Sequence, residues 1–276
     1  MELQLSDGPV QPRPHNDNHA AEIGAKLADD LLMGLRFYSI LPTGNDPHHP
    51  PRLSRIALAL PFTSLVIGFL PALLLLILEV LGVPHVFAAG LAVTALALAT
   101  GAMTEDALAD SADGLFGGRT VEQRLEIMKD SRHGTYGVVA ICLLLGLRIA
   151  AIGSVANPLA AIGIWLAATV IARSGALWLT MELPAARSGG SAAAVGRVST
   201  QSFAIGAVFA VLLSFILAGF VVGIAGLALA YVLAIAVAYG WALLCRRLIG
   251  GQTGDLIGAL QALLEIAVLS AFMFFV

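Results

Sequence analysis

The stretch Val86-Phe-Ala-Ala-Gly-Leu-Ala-Val-Thr-Ala-Leu-Ala-Leu-Ala-Thr-Gly-Ala-Met103 runs without a charge into Thr104-Glu-Asp-Ala-Leu-Ala-Asp-Ser-Ala-Asp-Gly-Leu-Phe-Gly-Gly118. The first half is an 18-residue apolar segment, close to the length a membrane-crossing helix needs. The second half packs four carboxylates, Glu105, Asp106, Asp110 and Asp113, into nine residues. If it is helical, Asp106, Asp110 and Asp113 stand at i, i+4 and i+7, on one face. Carboxylates about 6 Å apart repel by roughly 3 kcal/mol per pair at an effective dielectric near 20. Such a face calls for a cation or a basic partner over it. The plainer reading is a solvated, acidic helix end.

Working outward, the rest of the chain is as apolar as its first half. Of 276 residues, 58% are hydrophobic and only 12% charged, where a soluble domain carries about 25%. The mean hydropathy is +0.89. The expected fold is therefore all-α: a polytopic membrane helix bundle of about seven spans with an N-terminal amphipathic helix. The net charge is −3, and the 15 Lys and Arg residues form no dense basic tract, so no nucleic-acid partner is expected. Cys142 and Cys245 lie far apart inside apolar runs, without Cys or His at metal-ligand spacing, and read as small hydrophobes.

Residues 1–20 carry three prolines and no apolar core, which predicts a disordered polar tail rather than a signal peptide. Residues 21–276 are expected to form a single integral membrane catalytic domain. In Ala21 to Ile40, Ile23, Leu27, Leu31, Leu35 and Tyr38 recur at helical spacing, so this helix lies on the membrane surface or packs on the bundle. His48 and His49 sit in a proline-rich loop and read as solvated. The predicted spans are Ile56 to Leu81, Val86 to Met103, Thr135 to Val155, Pro158 to Met181, Phe203 to Val222, Leu227 to Cys245 and Leu256 to Val276. With the N-terminus inside, 13 of the 15 Lys and Arg residues fall on the inner side; Arg148 and Arg173 lie within spans. The opposite connections near 82–85, 153–157 and 223–226 have no Lys or Arg. This is the positive-inside pattern, and it puts the polar loops on one cytoplasmic face. The glycines at 219 and 223, and every fourth residue from 250 to 258, read as helix-packing faces.

Those loops hold the chemistry. Gly114, Gly117 and Gly118 follow the acids, and Lys129, Asp130, Arg132 and Arg124 follow the glycines. Mg²⁺ takes oxygen ligands, commonly one or two carboxylates plus substrate phosphates. Glycines let backbone approach a phosphate, and Arg or Lys neutralises its charge. The plainer reading of these basic residues is membrane-flanking charge. Asp255 opens the last span, where it serves as a site acid or as a helix cap. Glu265 lies deeper in that span, and intramembrane acids usually face a polar interior or a partner. Arg173 is such a partner or part of a substrate cavity; Arg148 does the same or extends to the far interface.

These residues resemble the adenosylcobinamide-GDP ribazoletransferase, or cobalamin synthase, family. The resemblance is carried by Leu35-Arg-Phe-Tyr-Ser-Ile-Leu-Pro42, by Thr100 to Gly118, and by Arg124-Leu-Glu-Ile-Met-Lys-Asp-Ser-Arg-His-Gly-Thr-Tyr-Gly137. Pro184-Ala-Ala-Arg187 and Gly254-Asp255 with Gly258-Ala259 complete it. Two positions depart from the family pattern: Thr104 replaces a common histidine and Ala107 a common glycine. The resemblance implies a Mg²⁺-dependent transferase in late cobalamin synthesis, multi-pass in the bacterial inner membrane, with N-terminus and active site cytoplasmic. It joins α-ribazole, or its 5′-phosphate, to adenosylcobinamide-GDP with loss of GMP. The expected metal ligands are Asp106, Asp110 and Asp113. The expected catalytic residues are Asp113, Asp110, Lys129 and Arg132, with Asp113 as a proton acceptor. Glu105, Gly117, Gly118, Asp130, Arg173, Arg187 and Asp255 are expected to bind substrate. Membrane lipid is a further partner, and a homo-oligomer and association with other late-pathway enzymes are compatible with this reading. A CDP-alcohol phosphotransferase also uses spaced aspartates, but its Asp-Gly and Ala-Arg pairs are replaced here by Asp106-Ala107 and Ala109-Asp110. A cation-coupled transporter would need acids in mid-span and paired broken helices.

Overall fold

The structure is a computed structural model of the whole chain, and it describes residues 17–44, 52–187 and 196–276. The tail expected over 1–20 lies outside these residues except for 17–20, which begin the first helix; His48 and His49 also lie outside. The described residues are helical, with no strand among them. The helices are α1 (Asp17–Tyr38), α2 (Leu53–Val80), α3 (His85–Thr100), α4 (Met103–Gly117) and α5 (Val121–Ile127). They continue with α6 (Thr135–Gly153), α7 (Pro158–Ala176), α8 (Leu179–Glu182), α9 (Thr200–Leu248) and α10 (Gly254–Phe272).

Five helical segments are long and apolar enough to cross a membrane: α2, α6, α7 continued by α8, α9 and α10. The pair α3 and α4 makes a sixth, bent by 85°. The bend falls where Gly101 and Ala102 both take left-handed backbone, φ 64° and 55°. Glycine accepts that conformation freely, whereas Ala102 is strained in it. The uncharged run therefore ends as a helix at Thr100, three residues earlier than the sequence pattern suggests. The 49-residue α9 is also not one rod. Gly223 leaves helical geometry at φ 66°, ψ −178°, and the Ser214 and Tyr231 hydroxyls, 17 residues apart, lie 2.9 Å from one another. In a straight helix they would be about 25 Å apart. The two halves, 200–222 and 224–248, thus fold back on each other as a hairpin. Counted in this way the apolar segments number seven.

Local signals set the ends. Pro158 begins α7, and Asn157 accepts hydrogen bonds from the Leu159 and Ala160 N–H groups. Thr253 caps α10 through the Leu256 N–H at 3.2 Å, so Asp255 is free of the capping role. Pro61 and Pro71 lie inside α2, which remains one helix. α7 is the central helix, surrounded by α2, α9 and α10, and its Trp165 is among the largest fully buried side chains. The amphipathic α1 packs along α2, buries Leu35 and Tyr38, and places Asp30 2.6 Å from Arg55.

The polar connections expected on one face do meet at one end. The segment after α8 pairs with the segment before α10: Gln252 N–H donates to Pro184 O at 2.8 Å and Ala186 N–H to Gln252 O at 2.9 Å. Arg124 on α5 donates to Leu115 O at the end of α4 and to Leu248 O at the end of α9. Arg187 donates to Leu125 O. These bonds gather α4, α5, α9 and α10 around one mouth. They also give Arg124 a structural task in place of the phosphate-facing one expected for it.

Candidate active site

α4 runs antiparallel to both α6 and α10, packed along each. Gln261 on α10 donates to Thr104 at 3.1 Å, near the deep end. One turn higher, Ala107 packs against Gly258, where a β-carbon would come within 2.5 Å of the Ala107 methyl. The two departures from the family pattern are thus absorbed by α10. Thr104 has a hydrogen-bond partner, and the extra methyl of Ala107 sits over a glycine.

The helical spacing of Asp106, Asp110 and Asp113 holds, but the three side chains part company. Asp106 is exposed, Asp110 half-buried and Asp113 buried. Asp113 Oδ2 accepts the Gly134 N–H at 2.6 Å and Oδ1 the Gly137 N–H at 2.9 Å. Those are free backbone donors at the first turn of α6, the positive end of its dipole. Asp113 is therefore an anchor, supplied by α4, for the start of α6. A β-carbon on Gly137 would collide with its carboxylate and lie 3.0 Å from Ala109 O, so the close approach requires glycine. With both oxygens accepting backbone bonds, Asp113 is poorly placed as the proton acceptor expected of it.

What the anchor fixes is the loop before α6, and that loop presents His133. Its Nδ1 lies 3.8 Å from Asp110 and its Nε2 3.9 Å from Asp106. One ligand atom each from Asp106, Asp110 and His133 fall within 4.8 Å of one another. This is the cluster among the described residues that could hold a metal ion, and it exchanges His133 for Asp113 in the expected set. Mg²⁺ prefers oxygen, so the two carboxylates fit it, with phosphate or water completing the shell; imidazole suits other metals better. Asp255 comes from α10, close enough for its charge to act on Asp106 and Asp110, and Arg187, from the segment after α8, acts in turn on Asp255.

The remaining expected residues are dispersed. Arg132 turns its guanidinium to Asp130, at 3.0 and 2.6 Å, on the exposed loop. Those bonds hold the Asp130 carboxyl down to about 2, below the usual carboxylate range. Lys129 is exposed beside them and lines a surface cleft with Gln123, Glu126, Ile127 and Asp130. Gly118 lies against the Arg124 backbone and Gly117 faces Ile127, so both serve the α4–α5 packing. Glu105 does not face the mouth. It is buried against Arg148, Oε1 to Nη1 2.7 Å, and the other arm of Arg148 reaches Glu265 Oε2 at 2.8 Å. Arg148 is thus the interior partner of both acids and does not extend to the far interface. Arg173 is also buried, its guanidinium 5.5 Å over the Tyr38 ring. Burial pushes the Tyr38 hydroxyl up to about 12, against the pull of Arg173. His133 is the site residue that sequence reasoning passed over; the signal for it was its place between Arg132 and Gly134 in the quoted motif.

The arrangement is a membrane-embedded bundle whose polar mouth carries two close carboxylates, a third acid, an imidazole and an arginine. Comparison with known proteins meets that description. A profile described as cobalamin-5-phosphate synthase matches residues 30–273. A protein of Azorhizobium caulinodans named adenosylcobinamide-GDP ribazoletransferase is 39% identical over 251 residues, 89% of this chain and 95% of its own. Proteins of the same name from Sinorhizobium sp and Bradyrhizobium diazoefficiens are 41% and 40% identical, covering 89% and 87% of this chain and 96% and 91% of theirs. No solved structure matches the chain. Likeness over nearly the full length, with the acidic helix and its glycine-capped partner inside the matched region, makes this chain a member of the cobalamin-5-phosphate synthase family.

Proposed function

We propose that the protein is a Mg²⁺-dependent adenosylcobinamide-GDP ribazoletransferase. It joins α-ribazole, or its 5′-phosphate, to adenosylcobinamide-GDP and releases GMP, giving adenosylcobalamin or its 5′-phosphate. The reading rests on family membership, and the observation that carries its chemistry is the convergence of Asp106, Asp110 and His133 at the polar mouth. Bound there, Mg²⁺ supplies charge neutralisation to a pyrophosphate. Asp106 and Asp110 hold the ion. Arg187 and His133 take the remaining phosphate oxygens, a task for which cationic or N–H donors are suited. Asp255, whose charge acts on Asp110, would serve as the hydrogen-bond acceptor for the entering hydroxyl. Asp113 touches no reactant and holds His133 in place through Gly134 and Gly137. Lys129 and the Asp130–Arg132 pair line the approach, where their exposed charges meet the nucleotide. The buried acids, Glu105 and Glu265, each bond one arm of Arg148 and lie within the field of a second buried arginine, Arg173, and so are not the unpaired sites an ion carrier would use.

The loop asymmetry in Lys and Arg supports an inner-membrane location with this mouth in the cytoplasm. The direct test supplies membranes carrying the protein with adenosylcobinamide-GDP, α-ribazole and Mg²⁺ and measures GMP and cobamide. Product is expected from the wild type and at least a hundredfold less from Asp110→Asn, on the order of the loss when a charge-stabilising group is removed. Equal rates with and without Mg²⁺, or in Asp110→Asn, would refute the proposal.

A further inference from the structure

Away from the acidic mouth, α7 and the two halves of α9 enclose an apolar slot of about 440 Å³. Its walls extend from Ile171 on α7 to Trp178 just beyond that helix, from Phe203 to Val211 on the first half of α9, and from Tyr231 to Tyr239 on the second, with Leu264 of α10 completing them. At 1.5 Å per residue that is a channel roughly 12 Å long, parallel to the helices. Ala207, Ala210, Ala234 and Ala238 leave it open where larger side chains would close it. Val211, Ile235 and Tyr239 are exposed on the outer surface, so the slot opens sideways, at the depth of the apolar spans. Water does not fill an apolar space of this kind, and a void there forfeits its packing contacts.

One polar group is out of keeping with that lining. Serine and threonine inside apolar helices commonly return their hydroxyl to a carbonyl three or four residues back. Thr169 and Thr180, to either side on the same segment, do so, bonding Leu166 O and Leu177 O at 2.9 and 2.8 Å. Ser174 does not. It is 7% exposed, lines the slot, and its hydroxyl has no partner. One turn nearer the polar end, Trp178 and Tyr239 pack with ring centroids 4.8 Å apart. Aromatic residues of that kind mark the headgroup level of a bilayer.

We infer that this slot is a binding site for one glycerolipid of the leaflet on the polar-mouth side. An acyl chain lies along the alanine wall, the ester carbonyl accepts the Ser174 hydroxyl, and the headgroup emerges past Trp178 and Tyr239. The order of the lining follows the order of a lipid: aromatic rim, one unsatisfied donor a turn below it, then only apolar wall down to Tyr231, whose hydroxyl is already bonded to Ser214. The inference is independent of the transferase reading, since none of these residues is placed at the acidic mouth.

The test uses the full chain, delipidated in detergent and titrated with phosphatidylglycerol carrying brominated acyl chains, which quench tryptophan on contact. A saturable quenching component that disappears in Trp178→Phe is expected. Ala207→Phe and Ala238→Phe, which fill the slot from opposite walls, should each remove it while the proteins still elute as the wild type. Ser174→Ala should weaken saturable binding about threefold to tenfold, the worth of one hydrogen bond. A dialkyl ether lipid lacking the carbonyl should bind the wild type weaker by the same factor and Ser174→Ala no weaker still. Quenching that rises without saturation, or is unchanged by both phenylalanine variants, overturns the inference. So does a wild-type dimer in lipid-free detergent that Ala207→Phe dissociates, because a second chain would then cover the slot.

Discussion

Replacing Arg148 by methionine is the sharpest test of how α4 is held. Arg148 is buried and bridges two buried acids from different helices, Glu105 of α4 at 2.7 Å and Glu265 of α10 at 2.8 Å. Methionine keeps most of the length and apolar bulk but removes the cation bonded to both carboxylates, so that of two buried arginines only Arg173 still acts on them. Breaking a buried pair by removing one partner costs about 3–5 kcal/mol, because the remaining charge is uncompensated. The network is also incompletely satisfied: Arg148 Nε, Glu105 Oε2 and Glu265 Oε1 have no hydrogen-bond partner. A partly satisfied buried network gives little net stabilisation over a neutral one. The double variant Glu105→Gln, Arg148→Met, which leaves Glu265 facing the charge of the buried Arg173, should therefore recover most of what Arg148→Met loses. For a chain of this size each kcal/mol moves the melting midpoint by about 2–4 °C, so the single variant should melt roughly 6–20 °C below wild type and the double variant within about 4 °C of it. Thermal unfolding of purified protein, followed by tryptophan fluorescence, reads both. A single variant that melts with the wild type, or a double variant no better than the single, would refute the view that Arg148 is needed chiefly to balance the charge of trapped acids.

Three further outcomes follow from the site. Asp113→Ala frees two backbone donors at the start of α6 and should destabilise by about 1–3 kcal/mol, the cost of buried unsatisfied groups, while Asp113→Asn, which keeps an acceptor, should lose less; thermal unfolding separates them. Gly137→Ala should reproduce the Asp113→Ala loss, since its methyl would occupy the space of that carboxylate, and combining the two should cost less than their sum in a double-mutant cycle. His133→Ala should leave the melting midpoint within about 2 °C of wild type, as an exposed side chain without a close bond, yet lower ribazoletransferase turnover by roughly tenfold or more. Turnover unchanged in His133→Ala would remove the imidazole from the site.

Much of the architecture was legible along the chain because a bilayer imposes a one-dimensional rule. A helix must be apolar for the width of the hydrocarbon, so runs such as Pro158 to Met181 and Leu256 to Val276 announce themselves without reference to partners. The bend at Gly101–Ala102 was less visible, since left-handed backbone at alanine has no signature. The polar end was also readable, because charge is excluded from the spans and gathers in the loops.

The assignment of side chains to tasks was not. Sequence alone determined that the chain is a helical membrane protein, that its acids recur on one face of α4, and that they are accompanied by glycines and basic residues. Only the tertiary structure decided that this face passes from solvent at Asp106 to the interior at Asp113, so that one acid of the three binds backbone while two remain open. It also decided that Glu105 meets Arg148, 43 residues away, and that His133 comes to stand over Asp106 and Asp110. Helical periodicity fixes which residues share a face. Which neighbour covers each turn of that face depends on the packing of α6 and α10, and so on contacts between segments that local sequence does not encode.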